Sequence, residues 1–250
     1  MPCDERSPGD RGTVTGAVAT LRALERGELE PLGLLPRSSN FTFLARVDAD
    51  GEQTLAVYKP VTGETPLWDF LPGTLASREV AAFVLADALG WPRVPPTVLR
   101  DGPHGPGSVQ LFVAFDPNEH YFTMQEQRAD EFRRVALFDA VANNADRKAG
   151  HCLLDERLQV FVVDHGVCFH EQPKLRTVIW DFVGEPIPAG LADDLEALGP
   201  RLESGQLRDR LLELLTAAEV EATRARLGAL LREGRFPEPG PGRPYPWPVV

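Results

Sequence analysis

The sequence is short of several residue types, and each shortage excludes something. Only three cysteines occur in 250 residues, an odd number too sparse for a disulfide framework. No apolar run is long enough to span a bilayer, and the opening MPCDERSPGD has none of the apolar length of a signal peptide. These absences predict a cytoplasmic protein with no stable membrane insertion. No internal repeat is present, which excludes a solenoid. Positive charge is scarce as well. The formal net charge of −11 argues against nucleic acid or an anionic membrane surface as a general partner. Lysine is rarer still: Lys59, Lys148 and Lys174 stand among twenty-three arginines. A lysine kept against that bias marks a place that needs a compact ammonium rather than a planar fork.

What remains is the composition of a folded domain, 43% hydrophobic and 25% charged, with enough length for one large core or a bilobal one. Residues 1–11 are polar and read as disordered. Apolar spacing predicts a helix over 13–27. A hairpin follows over 41–58, turning at Asp50-Gly51, preceded by Ser38-Ser39-Asn40 and ending at Lys59. Ser77 reads as the N-cap of a second helix that runs to Leu89 and is closed by Gly90 and Pro92, burying Val80, Phe83, Val84 and Ala88. The stretch 101–107 reads as a turn and 108–113 as a strand. A helix over 129–142 sets Asp139 on an otherwise buried face. A carboxylate there needs a partner, and Arg147 is the nearest candidate. Amphipathic helices are predicted over 191–198, 207–215 and 217–231, the last opened by the capping box Thr216 and Glu219. Residues 237–250, with six prolines, read as an extended tail.

Chemistry gathers between residues 138 and 170. Cys152-Leu153-Leu154 and Val160 to Val163 form a short predicted hairpin around Asp155-Glu156-Arg157. Asp146 lies just before it and Asp164 just after. A hairpin returns its ends to one place, so the two carboxylates should be neighbours despite eighteen positions of separation. Taken singly, Asp-Arg is a salt-bridged turn and Asp-His-Gly a strand exit. Their order across one hairpin favours phosphoryl transfer, in which one carboxylate takes the proton of an attacking hydroxyl and the other holds magnesium on nucleotide phosphates. His151, Cys152, His165, Cys168 and His170 also cluster. Their spacing matches no common zinc signature, and the two cysteines read as small core residues.

Asp139, Asn143, Asp146 and Arg147, followed by Asp164-x-Gly166, resemble the catalytic and metal-binding loops of the phosphatidylinositol 3- and 4-kinases. The likeness is greatest to the type II phosphatidylinositol 4-kinases and their small bacterial relatives, and more remote to the HipA-type kinases. Upstream, Ser38-Ser39-Asn40, Lys59, Glu79 and Gln110-Leu111-Phe112 follow the same order. The resemblance implies an α+β, two-lobed, protein-kinase-like (atypical kinase) fold. A smaller, mainly β N-lobe would span 12–113 and a larger, mainly α C-lobe 114–236, with ATP in the cleft and magnesium or manganese as cofactor. Ser38, Ser39 and Asn40 would cover the phosphates, Lys59 would neutralise their charge, and Glu79 would orient Lys59. The strand carrying Gln110, Phe112 and Val113 would lead into the hinge that reads adenine. Asp146 would position and deprotonate the acceptor, and Asp164 would hold the metal. Arg147 and Lys148 would stabilise the transferred phosphoryl group, or pair with Asp155 and Glu156 as loop charges. His151 stands where the family has a metal-binding asparagine. It is a second candidate metal residue, and its imidazole leaves open a pseudokinase that binds nucleotide or a partner without turnover. Lys174 and Arg176 would lie near the acceptor, which is a protein side chain, a small molecule or a lipid.

Overall fold

The computed structural model describes residues 10–36 and 40–250, with side chains from residue 16 onward in the first helix. Two compact units emerge. The first takes the chain up to Gly63 together with Pro96–Phe112, and the second takes Glu64–Pro95 together with Val113–Val250.

The first unit is a five-stranded sheet of β1 (Glu28–Leu34), β2 (Phe43–Ala49), β3 (Glu52–Pro60), β4 (Thr97–Gly102) and β5 (Gly105–Leu111), with α1 (Asp10–Arg26) ahead of it. The strand order is β1-β2-β3-β5-β4 and every pairing is antiparallel. Asp50 and Gly51 both turn with positive φ, 54° and 81°, the backbone twist that a tight hairpin prefers. Leu24 from α1 and Ala45, Val47, Ala56, Tyr58 and Val109 from the sheet form its core. Two features depart from the sequence reading. β1 escapes prediction because Pro31 and Gly33 are poor strand residues, and the register shifts between them. The glycine- and proline-rich stretch 101–107 is not one long turn but the meeting ends of β4 and β5, paired as far as Gly102 and Gly105. Gly107 has a reason to be glycine, since a Cβ there would fall 2.4 Å from the Lys59 carbonyl oxygen.

The second unit is mainly helical. It contains α2 (Leu75–Leu89), α3 (Tyr121–Met124), α4 (Ala129–Ala142), α5 (Ala189–Glu203), α6 (Gln206–Leu212) and α7 (Ala217–Glu233), with a small hairpin of β6 (Cys152–Leu154) and β7 (Val160–Val162). One core runs through α2, α4, α5, α6 and α7 and the hairpin. α2 starts at Leu75 and so includes Ser77, the expected cap. Glu64 supplies the acceptor instead, taking the N–H groups of Gly73 and Ala76 at 3.0 Å each. α2 is buried nearly all round, Ala81, Ala82 and Leu85 more completely than the expected Phe83, Val84 and Ala88. That burial explains why residues 64–95 fall with the helical unit, although the boundary at 113 had assigned them to the sheet side.

Two charged residues of α2 are buried with it. Arg78 Nη1 donates to the Cys168 carbonyl at 2.7 Å, and Nη2 pairs with Glu219. Glu219 in turn accepts the Thr216 N–H at 2.9 Å and completes the capping box of α7. One guanidinium therefore ties α2, the Cys168 loop and the start of α7 together. Arg78→Met leaves Glu219 buried without its cation, and breaking such a pair costs about 3–5 kcal/mol. Urea unfolding followed by circular dichroism should register that loss. A change within experimental error would show that the pair adds nothing to the helical unit.

Candidate active site

α4 ends on Asn143, whose φ of 53° turns the chain out of the helix while its N–H still bonds the Asp139 carbonyl. Asparagine tolerates this left-handed conformation better than most residues. Its side chain then stitches the next segment down: Nδ2 donates to the carbonyls of His170 and Gln172, at 2.8 and 2.7 Å, and Oδ1 accepts the Lys174 N–H at 2.8 Å. Asn144 does the same for the loop itself. Its Nδ2 donates to Asp139 Oδ1 at 3.0 Å and its Oδ1 accepts the Asp146 N–H at 3.0 Å. Main-chain bonds from Arg176 to Asn144 and from Arg147 to Arg176, both 2.9 Å, continue the lacing.

Beneath this loop lies Arg147, wholly buried with Asp139. Nε and Nη2 grip the two carboxylate oxygens at 2.9 and 3.0 Å, Nη1 donates to the Val163 carbonyl at 2.8 Å, and Nη2 meets His165 Nε2 at 2.7 Å. Arginine stays protonated, so that histidine nitrogen accepts. The fork thus holds both hairpin mouths, through Asp139 on one side and Val163 and His165 on the other. A buried guanidinium committed in this way steadies the loop and has no access to a transferred phosphoryl group. Of the three roles read for Arg147, partner to Asp139 is the one the geometry supports.

Asp146 is one-third exposed and pairs with Lys148 at 2.9 Å. Lys148 therefore does not pair with Asp155, whose Oδ1 instead accepts the N–H groups of Arg157 and Gln159 at 3.0 and 2.7 Å and shapes the hairpin turn. His151 links the two mouths. Its Nδ1 accepts the Lys148 N–H at 3.4 Å, and its Nε2 lies 3.2 Å from Asp164 Oδ2. The ring thus lies between the Lys148 main chain and the Asp164 carboxylate. Asp164 adopts φ 63°, a conformation uncommon outside glycine and frequent where a side chain must be re-aimed. Just after it, the His165 N–H donates to Glu79 Oε2 at 2.9 Å. Glu79, buried on α2, therefore fixes the backbone of the Asp164 loop.

Burial raises the Asp146 carboxyl above its ordinary pKa, Lys148 pulls it back, and the nearby charge of Asp164 pushes it up again. The Asp164 charge thus acts on Asp146 across the base of the hairpin. Asp164, with about half its side chain exposed at 48%, offers the oxygen ligand that magnesium takes, with phosphates and water completing the shell. Its donor chemistry fits such an ion. His151 Nε2 is instead set against the Asp164 carboxylate. Among the described residues, no three His, Cys, Asp or Glu converge on a self-contained metal site. The His/Cys cluster is thus a run of neighbours in sequence. Cys152 and Cys168 are wholly buried, and burial pushes the Cys152 thiol up to about 12.

Ser38 and Ser39 lie outside the described residues, while Asn40 lies inside them. Lys59 sits on β3 opposite Ser108 of β5. Gln110 is buried, and its amide donates to Thr97 Oγ1 at 2.8 Å across β4 and β5, so its side chain serves the sheet. Phe112 donates its N–H to Leu55 at 3.0 Å. Phe112 and Val113 mark the point where the chain leaves the sheet unit for the helical one. Lys174 is spent on Asp69, at 2.7 Å. Two contributors had been passed over. Asn144 was hidden by its place in a polar loop. The tail was read only as extended, although Tyr245 and Trp247 are unusual residues to find among so many prolines.

No family model matches the chain. Protein Rv2133c of Mycobacterium tuberculosis is 40% identical to it, over 94% of this chain and 99% of that protein. The chain belongs to the family of Rv2133c. Phosphatidylinositol 4-kinase gamma 4 of rice is 29% identical over 65% of this chain, which spans only 34% of that longer protein. Among solved structures, the Golgi casein kinase with Mn/ADP bound superposes with a TM-score of 0.56 at 15% identity, covering 88% of this chain and 75% of its own. The family fold is therefore protein-kinase-like, α+β, with a sheet-rich first part and a helical second part.

The Asp146 environment generates a pH test. Were Asp146 the base of a reaction, activity would fall as pH drops through its raised pKa, because a base must be deprotonated. Lys148→Gln removes the cation that lowers that pKa, and the acid limb of the pH–rate profile should move to higher pH. An unmoved limb would mean that a group other than Asp146 titrates.

Proposed function

We propose that this family is an ATP-dependent phosphotransferase of the phosphatidylinositol 3-/4-kinase-like type, acting on a hydroxyl acceptor. The observation that carries the reading is the contact chain Lys148–Asp146 and His151–Asp164 at the two mouths of one hairpin, on a kinase-like fold. The rice kinase and the Golgi kinase with Mn/ADP lend support for nucleotide and divalent metal.

In this reading the acceptor hydroxyl oxygen bonds to the γ-phosphorus of ATP as the bond to the β–γ bridging oxygen breaks and ADP leaves. The hydroxyl proton passes to Asp146, whose raised pKa suits it to accept one. Lys148 neutralises charge beside that proton. Asp164 would hold magnesium, which when bound neutralises the nucleotide phosphates. His151 keeps the Asp164 carboxylate aimed, Glu79 holds the loop beneath it, and Lys59 neutralises phosphate charge from β3. The inactive alternative rested on an imidazole replacing a metal-binding asparagine. The approach of His151 Nε2 to Asp164 Oδ2, 3.2 Å, gives that imidazole a role compatible with turnover.

Asp146→Asn should leave nucleotide binding nearly intact and lower turnover by about 10²–10⁴-fold, the usual worth of a positioned base. Asp164→Asn should instead abolish the metal dependence of nucleotide binding. Calorimetry with and without magnesium, beside release of labelled phosphate, separates the two, and indistinguishable variants would defeat the division of roles. His151→Ala should weaken magnesium affinity roughly 10–100-fold, as expected for a residue that orients a ligand. Should the wild type instead prefer manganese strongly, and lose that preference in His151→Ala, the imidazole would be a ligand after all.

A further inference from the structure

Residues 237–250 do not trail away from the helical unit. The Pro244 carbonyl accepts the Thr177 N–H at 3.0 Å and the Trp180 indole N–H at 3.3 Å, and the Val249 carbonyl accepts the Ala149 N–H at 2.8 Å. The tail is thus bonded to residues on either side of the Asp146 loop. Between it and that loop lies a hollow of about 360 Å³, lined by Asp146, Arg176, Arg243, Tyr245 and Trp247 among others. Arg243 lies over the Trp247 ring, 5.3 Å from its centre. Among the described residues neither Arg176 nor Arg243 has a carboxylate within ion-pair distance. Lys148 and Lys174, by contrast, are occupied by Asp146 and Asp69. In a chain of net charge −11, two guanidiniums with no carboxylate partner lining one hollow that also holds the expected base are out of keeping with their surroundings.

We propose that this hollow is the acceptor site, and that the acceptor carries an anionic phosphate or carboxylate group, bound by Arg176 and Arg243, beside the hydroxyl presented to Asp146. The assignment rests on the phosphotransferase reading. Guanidinium forks match phosphate and carboxylate geometry with paired donors. Asp146 keeps Lys148 as its ion-pair partner, so the two arginines remain available to the acceptor's anion. Tyr245 and Trp247, 47% and 73% exposed, provide flat walls for the body of the acceptor. Arg243, Tyr245 and Trp247 all come from the tail, so the tail is a specificity element. A free phosphorylated hydroxy compound and an anionic lipid headgroup share this chemistry.

The test uses the full chain with glycerol 3-phosphate, neutral glycerol, and vesicles containing phosphatidylglycerol, followed by calorimetry and by Trp fluorescence. Glycerol 3-phosphate should bind saturably while glycerol does not. Arg176→Ala and Arg243→Ala should each weaken binding by about tenfold, the worth of one charge-assisted contact, with thermal midpoint and ATP affinity retained. Trp247→Phe should remove most of the fluorescence response. Binding to the vesicles with the same arginine dependence, and not to glycerol 3-phosphate, would identify the lipid source. Equal affinity in the double arginine variant, or no saturable binding of either anionic probe, would overturn the proposal. Arginine-dependent anion binding in a protein that binds no ATP would uphold the anion site while removing the phosphotransferase reading beneath it.

Discussion

The salt bridge between Asp139 and Arg147 is the interaction on which the rest of the site depends. Both side chains are wholly excluded from water, so neither could be charged there alone. Burial makes the pair demanding. Each carboxylate oxygen and the guanidinium edges must be met by a fitting partner, and Asn144, the Val163 carbonyl and His165 provide the remainder. Such a pair adds little net stability compared with well-packed apolar residues, but it permits very few arrangements of the chain around it. Here the arrangement it permits has α4, the Asp146 loop and the exit of β7 converging on one point. The carboxylates with chemical work to do are held at the edge of this network, where they stay accessible.

The same division runs through the cations. Arg78 and Arg147 are buried and hold elements together, whereas Lys148 and Arg176 lie at the surface of the loop. Lys174, which sequence alone placed beside the acceptor, has its ammonium near Trp68 as well as Asp69, 5.2 Å from the ring centre. It fastens the segment after Gly166 to the stretch before α2. A scarce residue type standing against a compositional bias signals a specific need, and that need can be structural.

Much of this could be read from the residues in order. The helix 129–142, the hairpin of β6 and β7, the Thr216 capping box and the partnership of Asp139 with Arg147 all follow from local rules: periodicity, a turn between short apolar runs, and the requirement that a buried charge be matched. The misses share a physical cause. β1 is a strand because β2 pairs with it, despite Pro31 and Gly33. α2 is capped by Glu64, more than ten residues upstream, where the rules look to the immediately preceding residue. Lys174 reads as lying beside the acceptor because its partner, Asp69, is brought to it only by folding. The tail was misjudged most. Its prolines predict an extended chain correctly, and say nothing of the surface along which that chain lies.

The small hairpin has a consequence for how this family can change over descent. Its strands are three residues each, paired from Cys152 with Val162 to Leu154 with Val160, and the two carboxylates flank its base. The tip, held by the Asp155 side chain, lies at the opposite end. The tip is tied to the preceding connector through the Phe115–Asp155 bridge and the Asp116 N–H on the Leu154 carbonyl, so length variation is confined to the few residues between Asp155 and Gln159. A single residue gained within either strand would turn the following side chains to the other face and swing one carboxylate away from its neighbour. The turn alone can drift, and the strands are locked in length.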